Sequence, residues 1–426
     1  LGFVNNARNL NATFSKASRV VGNVNFISQS GALASAIFDW SQKNQIGFSE
    51  FITLGNKAVI NENDILKYWI NKKEKNKPIG MYLESIADGR EFLNLTKEIS
   101  VHSPIFILKP GQSPGAQRAM RSHTGAMAAD DAVQGAALKE AGVIRCDGVE
   151  DLFDLMKLFS WSKAPRGPNV AVVSNAGGPA VISADAIKKE GFNLADFSEA
   201  ARKKLQSKLP PASAVANPVD VLGDALADRY ADAMEIVLSE NNVDALLVVL
   251  TPQVMTEIEE TAETIARLSA HHDKPVICSF MGGGLIERGE DVLNAYKIPS
   301  FRFPERAIWA LARMWEWSVS QKAKGKRQKF VNERRTPSSL PLEKGGRQAL
   351  SLLEANKILE SAGIKVPKTK EVKNLEEAES FAQANGWPVV LKISSAKMLH
   401  KTEGGGVIVN LDNPGQLKIA FERLEE

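Results

Sequence analysis

The sequence predicts an α/β fold: two tandem doubly wound domains, each a parallel sheet with helices on both faces, and a third domain that is only begun. Three observations carry this. Short apolar runs rich in β-branched residues alternate with stretches of helical periodicity through residues 22–318. Two segments, "NVNFISQSGALASAIFDWSQKNQIG" at 23–47 and "NVAVVSNAGGPAVISADAIKKEG" at 169–191, read as copies of one unit. Beyond a polar stretch at 319–345, a helix–strand–helix–strand pattern starts again and breaks off.

In both copies an apolar strand runs into Ser-x-x-Gly and then into a helical stretch that ends at glycine. Ser28 matches Ser174, Gly31 matches Gly177 and Asp39 matches Asp185 at one constant offset. In the first half the alternation continues through "SEFITLG", "DILKYWI", "PIGMYLES", "GREFLNLTKEIS" and "SPIFILKPG". In the second it runs through "DALLVVLTP", "TEIEETAETIARLSAHH", "KPVICSFMGG" and "PSFRFPERAIWALARMWEW". The domains are expected at 22–160 and 168–318, with "SKAPRGP" between them. Residues 319–345 lose apolar periodicity and carry many lysines and arginines, the pattern of a solvated linker rather than a phosphate-binding arm. From 346 to 426 the third domain begins.

Composition sets the function classes aside. With 426 residues, 44 % hydrophobic, 24 % charged and a net charge of +3, the chain is an ordinary globular protein with no nucleic-acid-binding surface. No apolar run approaches the roughly 20 residues that cross a bilayer. Cys146 and Cys278 fit neither a disulfide framework nor a zinc pattern, so a reducing, cytoplasmic setting is expected. The chain opens at Leu1 and stops at "FERLEE", which reads as mid-helix, so a piece of a longer protein is expected.

Two kinds of stretch carry chemistry. A strand that turns through small residues into a helix directs free N–H groups and the positive helix end outward, which is an anion seat. "SQSGAL" (Ser28, Ser30, Gly31) and "SNAGGPA" (Ser174, Gly177, Gly178) both have this form. A glycine at such a turn also serves plain close packing, but two matched turns in tandem domains point to a shared anionic ligand. The other stretch is "RSHTGAMAADD" at 121–131, a lone histidine in a small-residue loop before a helical segment. A histidine that carries a phosphoryl group needs an exposed nitrogen, anion-stabilising helix ends and a carboxylate on its other nitrogen. Glu84, after the apolar strand of "MYLESIADGR", belongs at the carboxyl edge of the sheet, where such folds place their sites. A surface histidine and a strand-end glutamate are the plainer readings of the same residues.

"FISQSGAL", "TLGNKA", "YLES", "SHTGA", "NAGGPA", "NPVDVLGDA" and "PVVLKISS…HKTEGGGV", in this order, resemble the ADP-forming acyl-CoA synthetases, relatives of succinyl-CoA synthetase. The resemblance covers essentially the whole chain. It implies two flavodoxin-like, succinyl-CoA synthetase-like domains followed by the start of an ATP-grasp domain. It also implies that His123 is phosphorylated in turnover, that Glu84 is its carboxylate partner, and that the helices starting after Ser28 and Ser174 hold the phosphate. Lys392 matches a lysine that contacts nucleotide phosphates. His400 matches a second, relaying histidine, with Glu403 in the same motif. The implied substrates and cofactors are a carboxylic acid, CoA and ATP/ADP with nucleotide-bound Mg2+; no nucleic acid or membrane partner is implied, and the full-length chain is expected to form a homo-oligomer. Residues 1–21 read as the tail of a CoA-binding Rossmann domain, and the ligands for magnesium and adenine are expected beyond Glu426. Where the family usually has an acidic residue after "LGNKA", this chain has Val59.

The activity so implied is a reversible acid–CoA ligation: acyl-CoA, phosphate and ADP give acid, CoA and ATP through an acyl phosphate and a phosphohistidine. One alternative is a regulatory CoA-sensing region of a protein lysine acetyltransferase, in which the loop histidine is typically lost. Another is an inert flavodoxin-like binding fragment, since fold alone confers no function. The intact "SHTGA" favours the ligase.

Overall fold

The computed structural model describes residues 2–5, 8, 10–13, 20–72, 76–113, 115–116, 131–333, 356, 360, 366–393 and 406–425. The chain divides into two units, Leu1–Arg335 and Thr336–Glu426.

The first sheet opens with two short strands, β1 (Gly2–Asn5) and β2 (Leu10–Ala12). Its body is β3 (Val21–Ser28), β4 (Phe48–Thr53), β5 (Ile79–Tyr82), β6 (Ile105–Leu108) and β7 (Val143–Cys146). These five run parallel in the spatial order β4-β3-β5-β6-β7. Ile105, Phe106, Ile107 and Leu108 are all buried, as expected of a strand covered on both faces. Because β4 and β5 flank β3 on opposite sides, the chain leaves β3 in one direction and returns to β5 in the other. The sheet parts at its carboxyl edge between β3 and β5. β1 and β2, within the stretch 1–21 expected from sequence to be the tail of a preceding domain, lie on the far edge of this sheet: β1 pairs antiparallel with β4, and β2 with β1.

The second sheet repeats the plan. β8 (Asn169–Ser174) has β9 (Asn193–Leu194) and β10 (Val219–Asp220) on one side and β11 (Ala245–Leu250) on the other, with β12 (Val276–Phe280) beyond. All pairings are parallel, and the sheet parts between β8 and β11. The two halves are not beads on a string. One apolar cluster runs from Phe26, Phe48, Phe51 and Met156 of the first half into Val170, Val172, Ile187 and Leu247 of the second. Leu311 and Ile308, on the helix Pro304–Glu333, complete it. Arg306 on that helix reaches back to Asp151 (2.8 Å) and Asp154 (2.6 Å) of the first half, and Arg313 reaches Glu190 at 2.7 Å.

That helix departs from the sequence-based expectation. It continues to Glu333, through residues placed from sequence in a linker beginning at 319. Lysine, arginine and glutamine are good helix formers, so a helix nucleated on a buried face can continue through polar residues without apolar periodicity. Among the described residues no helix is long and apolar enough to cross a membrane.

In the second unit, Val389–Lys392 and Val407–Leu411 pair as an antiparallel ribbon. The helices Leu375–Asn385 and Pro414–Glu425 cover it through Ala378, Ala382, Leu411, Leu417 and Ala420.

Gly80 in the middle of β5 has a packing reason. A methyl group there would lie 2.6 Å from two ring carbons of Phe26 and 3.2 Å from the Met156 sulfur. Phe26 cannot retreat, since it is fully buried, stacked on Phe51 at 4.9 Å and set edge-on to Phe48. Gly80→Ala should therefore destabilise the first unit by about 1–3 kcal/mol through overpacking, read as a lower midpoint in thermal or urea unfolding.

Candidate active site

At the end of β3, Ser28 closes a tight local turn. Its Oγ donates to the Ser30 carbonyl at 2.7 Å and accepts from Ser30 N–H at 3.2 Å. Ser30 then caps α1 (Gly31–Lys43), its Oγ accepting from Leu33 N–H at 3.2 Å. The first N–H groups of α1, those of Gly31 and Ala32, have no capping side chain, and the space around Gly31 is open. This is the geometry of an anion seat.

The second half builds the same turn with different residues. Ser174 Oγ donates to the Ala176 carbonyl at 2.9 Å and accepts from Ala176 N–H at 3.1 Å. The helix Gly177–Lys189 follows with no side chain capping its start, and the space at Gly178 is open. A carboxylate oxygen of Asp220, at the end of β10, lies toward Gly177.

One pair of residues matters here that sequence reasoning passed over. Gln29 and Asn175 follow the two serines at the same constant offset, and both are buried amides. Gln29 Oε1 accepts from the N–H groups of Glu84 (2.9 Å) and Ser85 (3.1 Å), just beyond β5. Asn175 Oδ1 accepts from Thr251 N–H at 2.9 Å, while its Nδ2 donates to the Thr251 carbonyl at 2.9 Å, just beyond β11. Each amide spans the gap where its sheet parts and ties one lip to the other. The repeat carries the signal, an amide at the same place in both copies.

The register aligns the flanks of the two gaps. Ser28 sits opposite Thr53 on β4, as Ser174 sits opposite Asp220 on β10. Glu84 and Thr251 are the residues gripped by the two amides. Each half therefore carries one carboxylate and one threonine beside its helix start, on opposite sides.

Glu84 stands where the sequence placed it, at the carboxyl edge beside α1, half-buried, with Tyr82 Oη 3.5 Å from its Oε1. Burial, then the charge of Glu84, holds the Tyr82 phenol above its ordinary pKa, so it remains a neutral donor. The loop after Glu84 is pinned from below. Lys57 Nζ donates to the Ser85 carbonyl at 2.5 Å and pairs with Glu62 at 2.7 Å, and Glu62 accepts from Ala87 N–H at 2.6 Å.

His123 lies outside the described residues, as do His400 and Glu403. The described histidines, His102, His271 and His272, all precede strands and so stand at the amino edges of the sheets, away from both seats. Lys392 ends its strand opposite Val407, with an exposed side chain. Burial pushes the thiols of Cys146 and Cys278 far up, which leaves neither as a nucleophile at neutral pH. Among the described residues no group of three or more histidine, cysteine or carboxylate side chains could hold a metal.

The Lys57–Glu62 pair is almost wholly buried, at 7 % and 0 % side-chain exposure. Removing one partner strands the other charge. Lys57→Met should cost about 3–5 kcal/mol, measured as a drop in the urea midpoint, with Glu62→Gln nearly as damaging.

Comparison with known proteins assigns this architecture. Residues 21–159 match the succinyl-CoA ligase-like flavodoxin domain, 170–324 the ligase-CoA domain and 342–426 the ATP-grasp domain. The acetate–CoA ligase [ADP-forming] I of Archaeoglobus fulgidus is 36 % identical over 429 residues, covering 100 % of this chain and 61 % of its own length. The alpha subunit of acetate–CoA ligase [ADP-forming] II of Pyrococcus furiosus is 38 % identical over 72 % of this chain and 67 % of its own. Among solved structures, the dinucleotide-forming acetyl-coenzyme A synthetase 1 of Ca. Korarchaeum cryptofilum, in complex with phosphate and ADP, is similar with a TM-score of 0.71. It is 33 % identical, over 76 % of this chain and 71 % of that one. The chain thus spans about three fifths of the Archaeoglobus relative's length, and with its paired seats, its register and these likenesses it belongs to the ADP-forming acetate–CoA ligase family.

Proposed function

We propose that this chain carries the phosphoryl-transfer machinery of an ADP-forming acid–CoA ligase. The observation that carries the reading is the matched pair of helix starts, each with first-turn N–H groups that no side chain takes and each set where its parallel sheet parts, within one continuous core. The relatives are named as ligases, which favours this reading over a regulatory CoA sensor.

In the reaction, a phosphate oxygen attacks the thioester carbonyl and CoA leaves as the thiol, giving an acyl phosphate. An imidazole nitrogen of His123 then attacks the phosphorus, and the carboxylic acid leaves as its carboxylate. The phosphoryl group passes from His123 to the terminal phosphate of ADP. Dividing the conversion in this way replaces one three-substrate step by separate transfers. The seats after Ser28 and Ser174 hold the negative charge of the phosphoryl group with backbone N–H groups, which cost no reorganisation when charge arrives. Glu84 fixes the imidazole tautomer from the other nitrogen. Lys392, His400 and Glu403 belong to the nucleotide side. Magnesium accompanies the nucleotide, and no step assigned to the described residues passes through it. The acid, CoA and ADP are the small-molecule partners, and the full-length chain works as a homo-oligomer in the cytoplasm.

The test is the covalent intermediate. Full-length protein given labelled ATP and magnesium should retain acid-labile, base-stable label. His123→Asn should abolish both the label and acyl-CoA formation while CoA binding stays close to wild type. Glu84→Gln should fold normally and transfer about 10–100-fold more slowly, because the orienting carboxylate is gone. Acyl-CoA formation by the His123→Asn enzyme near the wild-type rate would overturn the mechanism.

A further inference from the structure

Lys109 is the first residue after β6, at the carboxyl edge next to β5, and it is nine-tenths buried. A buried ammonium is costly unless a counter-charge or strong acceptors repay the lost hydration. Among the described residues no carboxylate forms an ion pair with it. Its Nζ instead donates to the main-chain carbonyl of Glu84 at 3.1 Å. The charged groups around it are Lys57, from the loop after β4, Arg145 on β7, and Asp131 at the start of the helix Asp131–Ala141, where Arg145 holds it at 2.5 Å. Burial first, then the charge of Arg145, holds the Lys109 pKa below the ordinary lysine value.

The reason for this placement lies in the sheet. The pairing of β5 with β6 ends at Leu83, whose N–H donates to the Leu108 carbonyl at 3.2 Å. One residue later the strands separate and the carbonyl of Glu84 has no ladder partner. Lys109 reaches across to fill that role. On the other side, Gln29 takes the Glu84 N–H. Both backbone groups of Glu84 are thus held by buried side chains from different strands, which fixes its Cα and the direction in which its side chain leaves. The carboxylate itself, touched by Tyr82 alone among the described residues, is left for another partner.

We infer that Lys109 is a positioning residue for phosphoryl transfer: with Gln29 it clamps the Glu84 peptide and so aims the carboxylate at the imidazole it orients. This rests on the proposed role of Glu84. A purely structural lysine would affect stability and act independently of that carboxylate, whereas a positioning lysine acts through it.

The experiment is a double-mutant cycle on the full-length protein, read as the single-turnover rate of phosphoenzyme formation from labelled ATP. Lys109→Met should slow that rate about 10–100-fold, with KM for CoA in the overall reaction unchanged. In the Glu84→Gln background the same substitution should cost less than about two-fold, because the group it aims is already gone. If Lys109→Met does not fold by circular dichroism and thermal melting, the cycle is run with Lys109→Arg, which keeps a cationic donor and should show the same non-additivity at smaller size. Equal losses in both backgrounds, or a Lys109→Met rate at wild type, would overturn the inference while leaving the phosphohistidine intact. A wild-type protein that forms no phosphoenzyme would overturn the functional reading and this inference with it.

Discussion

A parallel sheet satisfies its backbone only where strands run side by side. Where the winding direction reverses, two neighbouring strands part, and the peptide groups just beyond lose their partners in a place too enclosed for water to serve them all. Everything at the candidate site follows from how this chain meets that constraint twice. It places a buried amide, Gln29 or Asn175, immediately after the strand-ending serine and uses it to bond the opposite lip. The two lips of each gap are thereby held at a fixed separation.

The electrostatics are built around the same opening. Charges near the first gap, buried or half-buried, sit close to partners that offset their lost hydration: Lys57 with Glu62, Arg145 with Asp131, Lys109 with a carbonyl. None of these pairs uses the Glu84 carboxylate, so the strongest acceptor at this edge remains uncommitted to them. The helix dipole of α1 adds positive potential from the other side.

Much of this was legible in sequence because it is local. The strands, the serine turns and the helix starts each depend on a few consecutive residues, and the constant offset between Ser28 and Ser174 exposed the duplication. What escaped was non-local or only partly repeated. Gln29 and Asn175 differ by a methylene, so the copies do not match letter for letter, and nothing in "SQSGAL" tells that the amide reaches a loop past β5. Lys57 and Glu62 are neighbours in sequence, but their shared grip on residues 85–87 exists only once β4 and β5 are placed. The basic stretch after 318 was read as a linker for a different reason: periodicity marks burial rather than helicity, and Pro304–Glu333 stays helical through residues that lack apolar periodicity.

The exchange of threonine and carboxylate between the halves gives the duplicated scaffold a polarity. In the second half Asp220 already stands by the helix start at Gly177, a resident negative charge that complements the dipole by itself. The start of α1 has no such carboxylate on the matching flank, where Thr53 instead exchanges hydrogen bonds with Gly2. The two helix starts thus carry their carboxylates on opposite flanks: Asp220 beside Gly177 in the second half, Glu84 across the gap from α1 in the first.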